Sequence, residues 1–322
     1  MRILVYDASR RKTLTTGYGL VSTQFGERLK GLGNEVVYYD ENPDFNADIW
    51  LWTRPPHYVE YKQFLQTNKN VFYTMHEEAT FTGWKANWPS LLNRCTAIVT
   101  PTEWNKEVFE KGGVTKPIYV VPMGVDTKNY IGNRTYEFSL LSVHEAFGKD
   151  SSRENWKDSV EAYYATFYDN HNTEVSYTIK SWNSSREGFD AFTKQLVDSN
   201  NYDREKLPRV DLIDMELVVQ DMNRLYGRSW AYIKNSQREC WSLPTLEAVA
   251  CGVRIIGYPL PSIPYLNNDN TDFFQNREEL KEKLWENFTR WRKWKISVSA
   301  WSWQNATKKL NTTLGEIMSL TV

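Results

Sequence analysis

The sequence predicts an α/β protein made of two parallel-sheet domains, and three observations predict it. The chain has 322 residues, too many for one ordinary core and a good length for two. Short apolar runs alternate with amphipathic stretches of helical period along most of its length, the signature of βαβ units. The alternation lapses once, at "TKNYIGNRTY" (127–136), and then restarts on a strand. That break places a first domain at 1–132 and a second at 133–300.

The elements follow in order. "RILVYD" (2–7) is a continuous apolar strand, the kind buried on both faces of a parallel sheet. After a polar loop, "LVSTQFGERLKGLG" is helical, with Val21, Phe25, Leu29 and Leu32 on one face and Gly33 as its stop. "EVVYYD", "ADIWLWT", "NVFYTMH" and "CTAIVTP" continue the strands. "TEWNKEVFEKGGV" is a helix with Thr102 as N-cap and Gly112-Gly113 as terminator, and "PIYVVPMGVD" is a strand and turn. The second series runs strand "EFSLLSV", helix "RENWKDSVEAYYATFYD", strand "TEVSYTIKSW", helix "GFDAFTKQLVDS" and strand "RVDLIDM". It closes with helix "ELVVQDMNRLYGRS", strand "WAYIKNS", helix "SLPTLEAVACG", strand "VRIIGY" and a helical charged tail. Paired domains of this kind make the cleft between them the expected ligand site.

Bulk composition narrows the function. Net charge is −1 and the isoelectric point about 6.5, so no global charge favours nucleic acid or an anionic membrane. With 25% charged and 41% hydrophobic residues, the profile is that of a soluble globular protein. The 14 Trp and 19 Tyr supply core, and aromatics also line sugar and base sites. Cys95, Cys240 and Cys251 are odd in number and lack metal-type spacing, which predicts a reduced, cytoplasmic protein. The first strand is too short and too soon polar for a signal peptide, and no apolar run approaches the ~18 residues of a membrane span.

The segment richest in chemistry is "RECWSLPTLEAVACG" (238–252). Pro244 suits the first helical position and Ser242 the cap. The N–H groups of Leu243, Thr245 and Leu246 then face an anion, which the helix dipole favours; a diphosphate fits. Glu247, about one turn in, is placed to accept hydrogen bonds from paired ribose hydroxyls. Glu239, before the turn, reaches a sugar on the far side of the phosphates. A glutamate near a helix start is also favourable on electrostatic grounds alone, and Glu239 alone reads equally as a loop charge.

Glu239, Pro244, Glu247, Ala248 and Gly252 together resemble the E-x7-E, A-x-A-x-G signature of family-4 retaining glycosyltransferases with the GT-B fold. Three more segments resemble that family in its own order. "VTPTEWNKEVFEKGGVTKPIYVVPMGVD" (99–126) is similar to the segment closing its first domain, and "YTMHEEATFTGW" (73–84) to a Thr-Met-aromatic-Glu stretch. "SWQNATKKL" (302–310) is similar to its closing helix, so 301–322 is expected to pack back on the first domain. The resemblance implies that Glu239 contacts the donor sugar and Glu247 the ribose of a UDP- or GDP-linked donor. It assigns Gly17 and Gly19 to a loop where backbone approaches phosphate and acceptor, with Tyr18 and Glu77 on the acceptor side. His76, at a strand end facing the cleft, is placed near the reacting sugar. The implied reaction is metal-independent transfer with retention, with no cofactor beyond the nucleoside-diphosphate sugar as co-substrate.

One departure stands out. The family sets an Arg and a Lys after the second domain's first strand to neutralise the diphosphate. In "SVHEAFGKDSSRENW" (142–156) His144 takes the Arg position and Glu154 the Lys position, leaving Arg153 first, then Lys157 and Lys149, as substitutes. Trp182, at the end of "IKSW", is the candidate base-stacking residue. No carboxylate pair calling for a covalent glycosyl-enzyme is visible. Arg10, Arg11 and Lys12 form either a solvated loop or the contact for an anionic acceptor. The acceptor classes are a glycan or polysaccharide, a lipid-linked sugar, or hydroxymethylated bases in DNA. A catalytically inactive GT-B binding module is the competing class, supported by the altered basic loop.

Overall fold

The computed structural model describes residues 1–7, 17–58, 69–131, 138–144, 154–168, 175–181, 186–290 and 302–319. Arg10, Arg11, Lys12, Lys149, Arg153 and Trp182 lie outside the described residues. The chain divides into two units, Met1–Asp126 with Glu239–Leu243 and Ala300–Val322, and Thr127–Arg238 with Pro244–Ser299.

The first unit holds six parallel strands: β1 (Arg2–Asp7), β2 (Glu35–Tyr38), β3 (Ile49–Thr53), β4 (Asn70–Tyr73), β5 (Ala97–Thr100) and β6 (Ile118–Val120). Their order is β2-β1-β3-β4-β5-β6, so the chain changes direction between β1 and β3. Every residue of β3, "IWLWT", is buried, as a continuous apolar run covered on both faces requires. Helix α1 (Gly17–Gly31) buries Val21, Phe25 and Leu29. Leu32 falls beyond its end and is 42% exposed, a departure from the predicted apolar face, because the chain turns away at Gly33 (φ 85°). Helix α2 (Trp88–Leu92) is short; helix α3 (Glu103–Lys111) is capped by Thr102, whose hydroxyl accepts from the Asn105 amide.

Helix α9 (Trp303–Met318) belongs to this unit. Ser302 caps it and pairs with Val125 in a parallel bridge, and the Trp303 amide donates to the Val125 carbonyl at 3.0 Å. Trp303 packs edge-on against Phe25, and Lys69 donates to the carbonyls of Ile317 and Met318, a cation on a helix C-terminus. Gly124 is what lets the strand end approach α9 so closely. A Cβ there would lie 2.3 Å from the Trp303 nitrogen and 2.4 Å from its Cα.

The second unit has its own parallel sheet: β7 (Ser139–Val143), β8 (Ser176–Lys180), β9 (Arg209–Ile213), β10 (Ala231–Lys234), β11 (Arg254–Gly257) and β12 (Thr271–Phe273). The order β12-β11-β10-β7-β8-β9 puts the change of direction between β7 and β10. The three-residue strand β12 has no sequence signal. Helices α4 (Trp156–Tyr168), α5 (Arg186–Ser199), α6 (Val219–Arg228), α7 (Leu243–Ala250) and α8 (Arg277–Arg290) complete the alternation. Helix α6 starts later than its apolar pattern predicts, because Val218 is still extended (ψ 162°). Trp156, Tyr163, Phe167 and Phe138 anchor the core.

Candidate functional site

The motif around α7 divides between the two units, with Glu239–Leu243 in the first and Pro244 onward in the second. Helix α7 starts at Leu243, so Pro244 is its second residue and Glu247 its fifth, one position past the first turn. Ser242, predicted as an ordinary cap, has φ of 44° rather than the extended conformation of most caps. A buried non-glycine residue in the left-handed region costs about 1–3 kcal/mol, and such outliers gather at functional turns. Gly252 (φ 70°) supplies the left-handed stop after α7.

Glu247 is held by two tyrosines. The Tyr226 hydroxyl donates to its Oε2 at 2.8 Å, and Tyr130 also donates. Both tyrosines are buried, and their rings pack edge-on at 5.9 Å. Burial pushes the Glu247 carboxyl up to about 7, against the opposite pull of the two hydroxyls. Glu247 is therefore a fixed acceptor whose ionisation falls near neutrality. Thr245 is fully buried and bonds the hydroxyl of Tyr232 on β10, which also donates to the Val143 carbonyl at 3.0 Å. This ties the first turn of α7 to the ends of β10 and β7.

The basic loop is only partly described. His144 follows β7 and its backbone amide donates to the Lys180 carbonyl. Lys157 lies on the exposed surface of α4 with its ammonium over the rings of Phe192 (5.3 Å) and Trp156 (5.7 Å). Glu154 is buried against Lys234, Nζ to Oε2 3.6 Å. Lys180, at the end of β8, is buried and donates to the Ser181 carbonyl.

In the first unit, Gly17 opens α1 and is exposed, while Gly19 is buried. Among the described residues, no atom lies within 4 Å of a Cβ placed on Gly17, and its φ is not positive. The Tyr18 hydroxyl lies 3.2 Å from Thr74 Oγ1 and accepts from the Met75 amide at 3.2 Å. Its role in the fold is to fix the segment after β4. His76, expected at a reacting sugar, is 1% exposed: it stacks on Phe81 at 4.3 Å, and its Nε2–H donates to the Thr80 carbonyl. Burial lowers its pKa and keeps it neutral. Asn105 clasps the His76 backbone on both sides, through 2.8 Å and 2.7 Å hydrogen bonds, which gives Asn105 of "TEWN" a structural reason.

Glu239 does have a carboxylate neighbour. An oxygen of Glu77, an oxygen of Glu239 and the Cys240 sulfur all lie within 4.8 Å of one another. This joins two residues predicted for different roles. Trp84, not singled out by the sequence, is 63% exposed and backed by His57 and Trp88, an aromatic face of the kind that stacks on sugars.

The two sheets and their connections define the fold as GT-B. Solved structures agree. A glycosyltransferase from Rickettsia africae superposes with a TM-score of 0.74 at 16% identity, over 99% of both chains. Anabaena HepE, solved with UDP and glucose, gives 0.68 at 13% identity over the whole of both chains. The pneumococcal O-GlcNAc transferase GtfA, solved with UDP and GlcNAc, gives 0.63 at 12% identity, over 84% of this chain. The chain spans 57% of the length of that protein. No protein-family model and no curated protein sequence matches the chain. Among the described residues, no helix is long and apolar enough to cross a membrane.

Proposed function

We propose that this chain is a retaining, metal-independent glycosyltransferase that moves a sugar from a UDP- or GDP-linked donor to a hydroxyl acceptor in glycan or polysaccharide assembly. The observation that carries the reading is Glu247, a half-buried carboxylate oriented by Tyr226 and Tyr130 near the start of α7. A ribose diol is the ligand such an acceptor fits, because both hydroxyls donate. The N–H groups opening α7 suit the diphosphate. Glu239 then meets the transferred sugar, with Glu77 beside it to take hydroxyls of sugar or acceptor. The neighbouring GT-B structures solved with UDP support the donor class. In this reading the glycosidic C–O bond breaks toward the diphosphate while the acceptor oxygen bonds the anomeric carbon on the same face. The acceptor proton passes to the departing phosphate oxygen.

A thermal-shift panel with UDP, GDP, ADP, CDP and their sugar conjugates tests it. A ligand at ~100 times its dissociation constant stabilises the fold by about 2.7 kcal/mol. One nucleotide should stand out. Glu247→Ala should abolish its shift, and Glu239→Ala should cut turnover more than diphosphate affinity. A flat panel on a folded protein overturns the assignment.

A further inference from the structure

We propose that Lys234 is the cation that holds the leaving diphosphate, with Glu154 as its counter-ion until the donor arrives. The inference rests on the donor reading above and names a residue that reading lacks. Its starting point is Glu154. The resemblance expects a lysine where Glu154 stands, and of the described substitutes Lys157 lies over aromatic rings on an exposed surface. The structure sets a lysine opposite Glu154 instead, on a different element.

Lys234 is the last residue of β10, at the carboxyl edge of the sheet. Beside it lies the end of β7, and the β7–β10 junction is where this sheet changes direction. Open α/β sheets take their ligands at that point. The other neighbour in register is Gly257 of β11, which puts no side chain next to the lysine. The pair also adjoins the α7 start: Tyr232 feels the charges of both Lys234 and Glu154 and is bonded by Thr245 of the first turn of α7.

The energetics point the same way. Lys234 and Glu154 are 4% and 5% exposed. A pair so deeply desolvated is weak as a stabilising device, since apolar replacements of similar volume commonly do as well or better. Its separation of 3.6 Å exceeds the ~2.7–2.9 Å of a tight charge-assisted hydrogen bond. A diphosphate carries more charge than one carboxylate and competes for the ammonium on favourable terms. As the glycosidic bond breaks, its electron pair moves onto the phosphate oxygen, and a cation fixed there gains most at that moment. Lys180, a second buried lysine at this edge, donates to the Ser181 carbonyl.

The test uses the whole protein and titrates UDP, GDP, ADP and CDP by calorimetry, with turnover measured on the matching sugar conjugate. Lys234→Met with Glu154→Met removes both charges without stranding either. This double variant should fold, bind the free nucleoside as the wild type does, lose 30-fold or more in diphosphate affinity, and lose more in turnover. Lys234→Arg should restore much of both. Glu154→Gln keeps the shape and frees the ammonium, so it should bind diphosphate several-fold more tightly. It decides the question if the double variant misfolds. Wild-type diphosphate affinity in the folded double variant, or unchanged or weaker binding in Glu154→Gln, overturns the proposal. A wild-type protein that binds none of the four nucleotides removes the donor reading as well.

Discussion

Replacing Tyr226 by Phe removes one hydroxyl and leaves the ring packing against Tyr130 in place. That hydroxyl donates to Glu247 at 2.8 Å, a hydrogen bond to a charged acceptor, for which about 1.5–3 kcal/mol is typical. At ~1.36 kcal/mol per pKa unit, the low end raises the Glu247 pKa by about one unit. It starts near 7, because burial outweighs the two tyrosines. In the wild type roughly half the population is ionised at pH 7; in the variant roughly a tenth is. If the ionised carboxylate holds the ribose, diphosphate affinity should drop about fivefold at pH 7 and recover nearly all of it at pH 9. Calorimetric titration at both pH values measures this directly. An equal loss at the two pH values, or none at either, refutes the view that Glu247 binds as an anion tuned by Tyr226.

Three further outcomes follow. Glu247 has a folded pKa above its ordinary 4.5, so the folded state keeps a proton the unfolded chain has lost between those values. Its contribution to stability should therefore fall as pH rises from about 4.5 to 7, by up to roughly 3 kcal/mol, and Glu247→Gln should flatten that part of a urea-midpoint profile. Gly124→Ala drives a Cβ into the Trp303 backbone; unfolding should show a loss of about 2–3 kcal/mol, and wild-type stability would show that α9 does not dock as described. Gly17→Ala meets nothing within 4 Å among the described residues, so thermal stability should hold or rise slightly while turnover falls; unchanged turnover would remove Gly17 from the site.

The fold was legible because its signals are local. Strands such as "IWLWT" are continuous apolar runs, and Thr102, Gly113 and Gly33 end helices by chemistry that needs no partner far away. The Leu32 error has the same root: helical period runs on paper up to the stop at Gly33, whereas α1 ends at Gly31 and leaves Leu32 outside it. The α7 motif was readable in outline, since Glu247 needs only its place on one helix. What holds Glu247 was not, because Tyr130 and Tyr226 come from two other segments and read as ordinary core aromatics. The enclosure of His76 was hidden for a related reason: Phe81, Trp88 and Asn105, which surround it, are contacts that periodicity does not encode.

The same limit hid the pairing of Glu154 with Lys234. Sequence spacing searches for a basic residue near a given element, and after β7 it finds Lys149, Arg153 and Lys157 around the acidic Glu154. In three dimensions the relevant distance is across the sheet, from Glu154 to the end of β10. A buried carboxylate at a predicted anion site is unfavourable on its own, so a cation must lie within reach of it; burial of Glu154 therefore implies something like Lys234. The Glu77–Glu239 contact poses the converse problem, two carboxylates drawn together in the first unit. Like charges this close need hydrogen-bond donors between or beside them. A sugar hydroxyl cluster supplies such donors, which makes the pair and the donor reading mutually consistent without asking either carboxylate to attack the anomeric carbon.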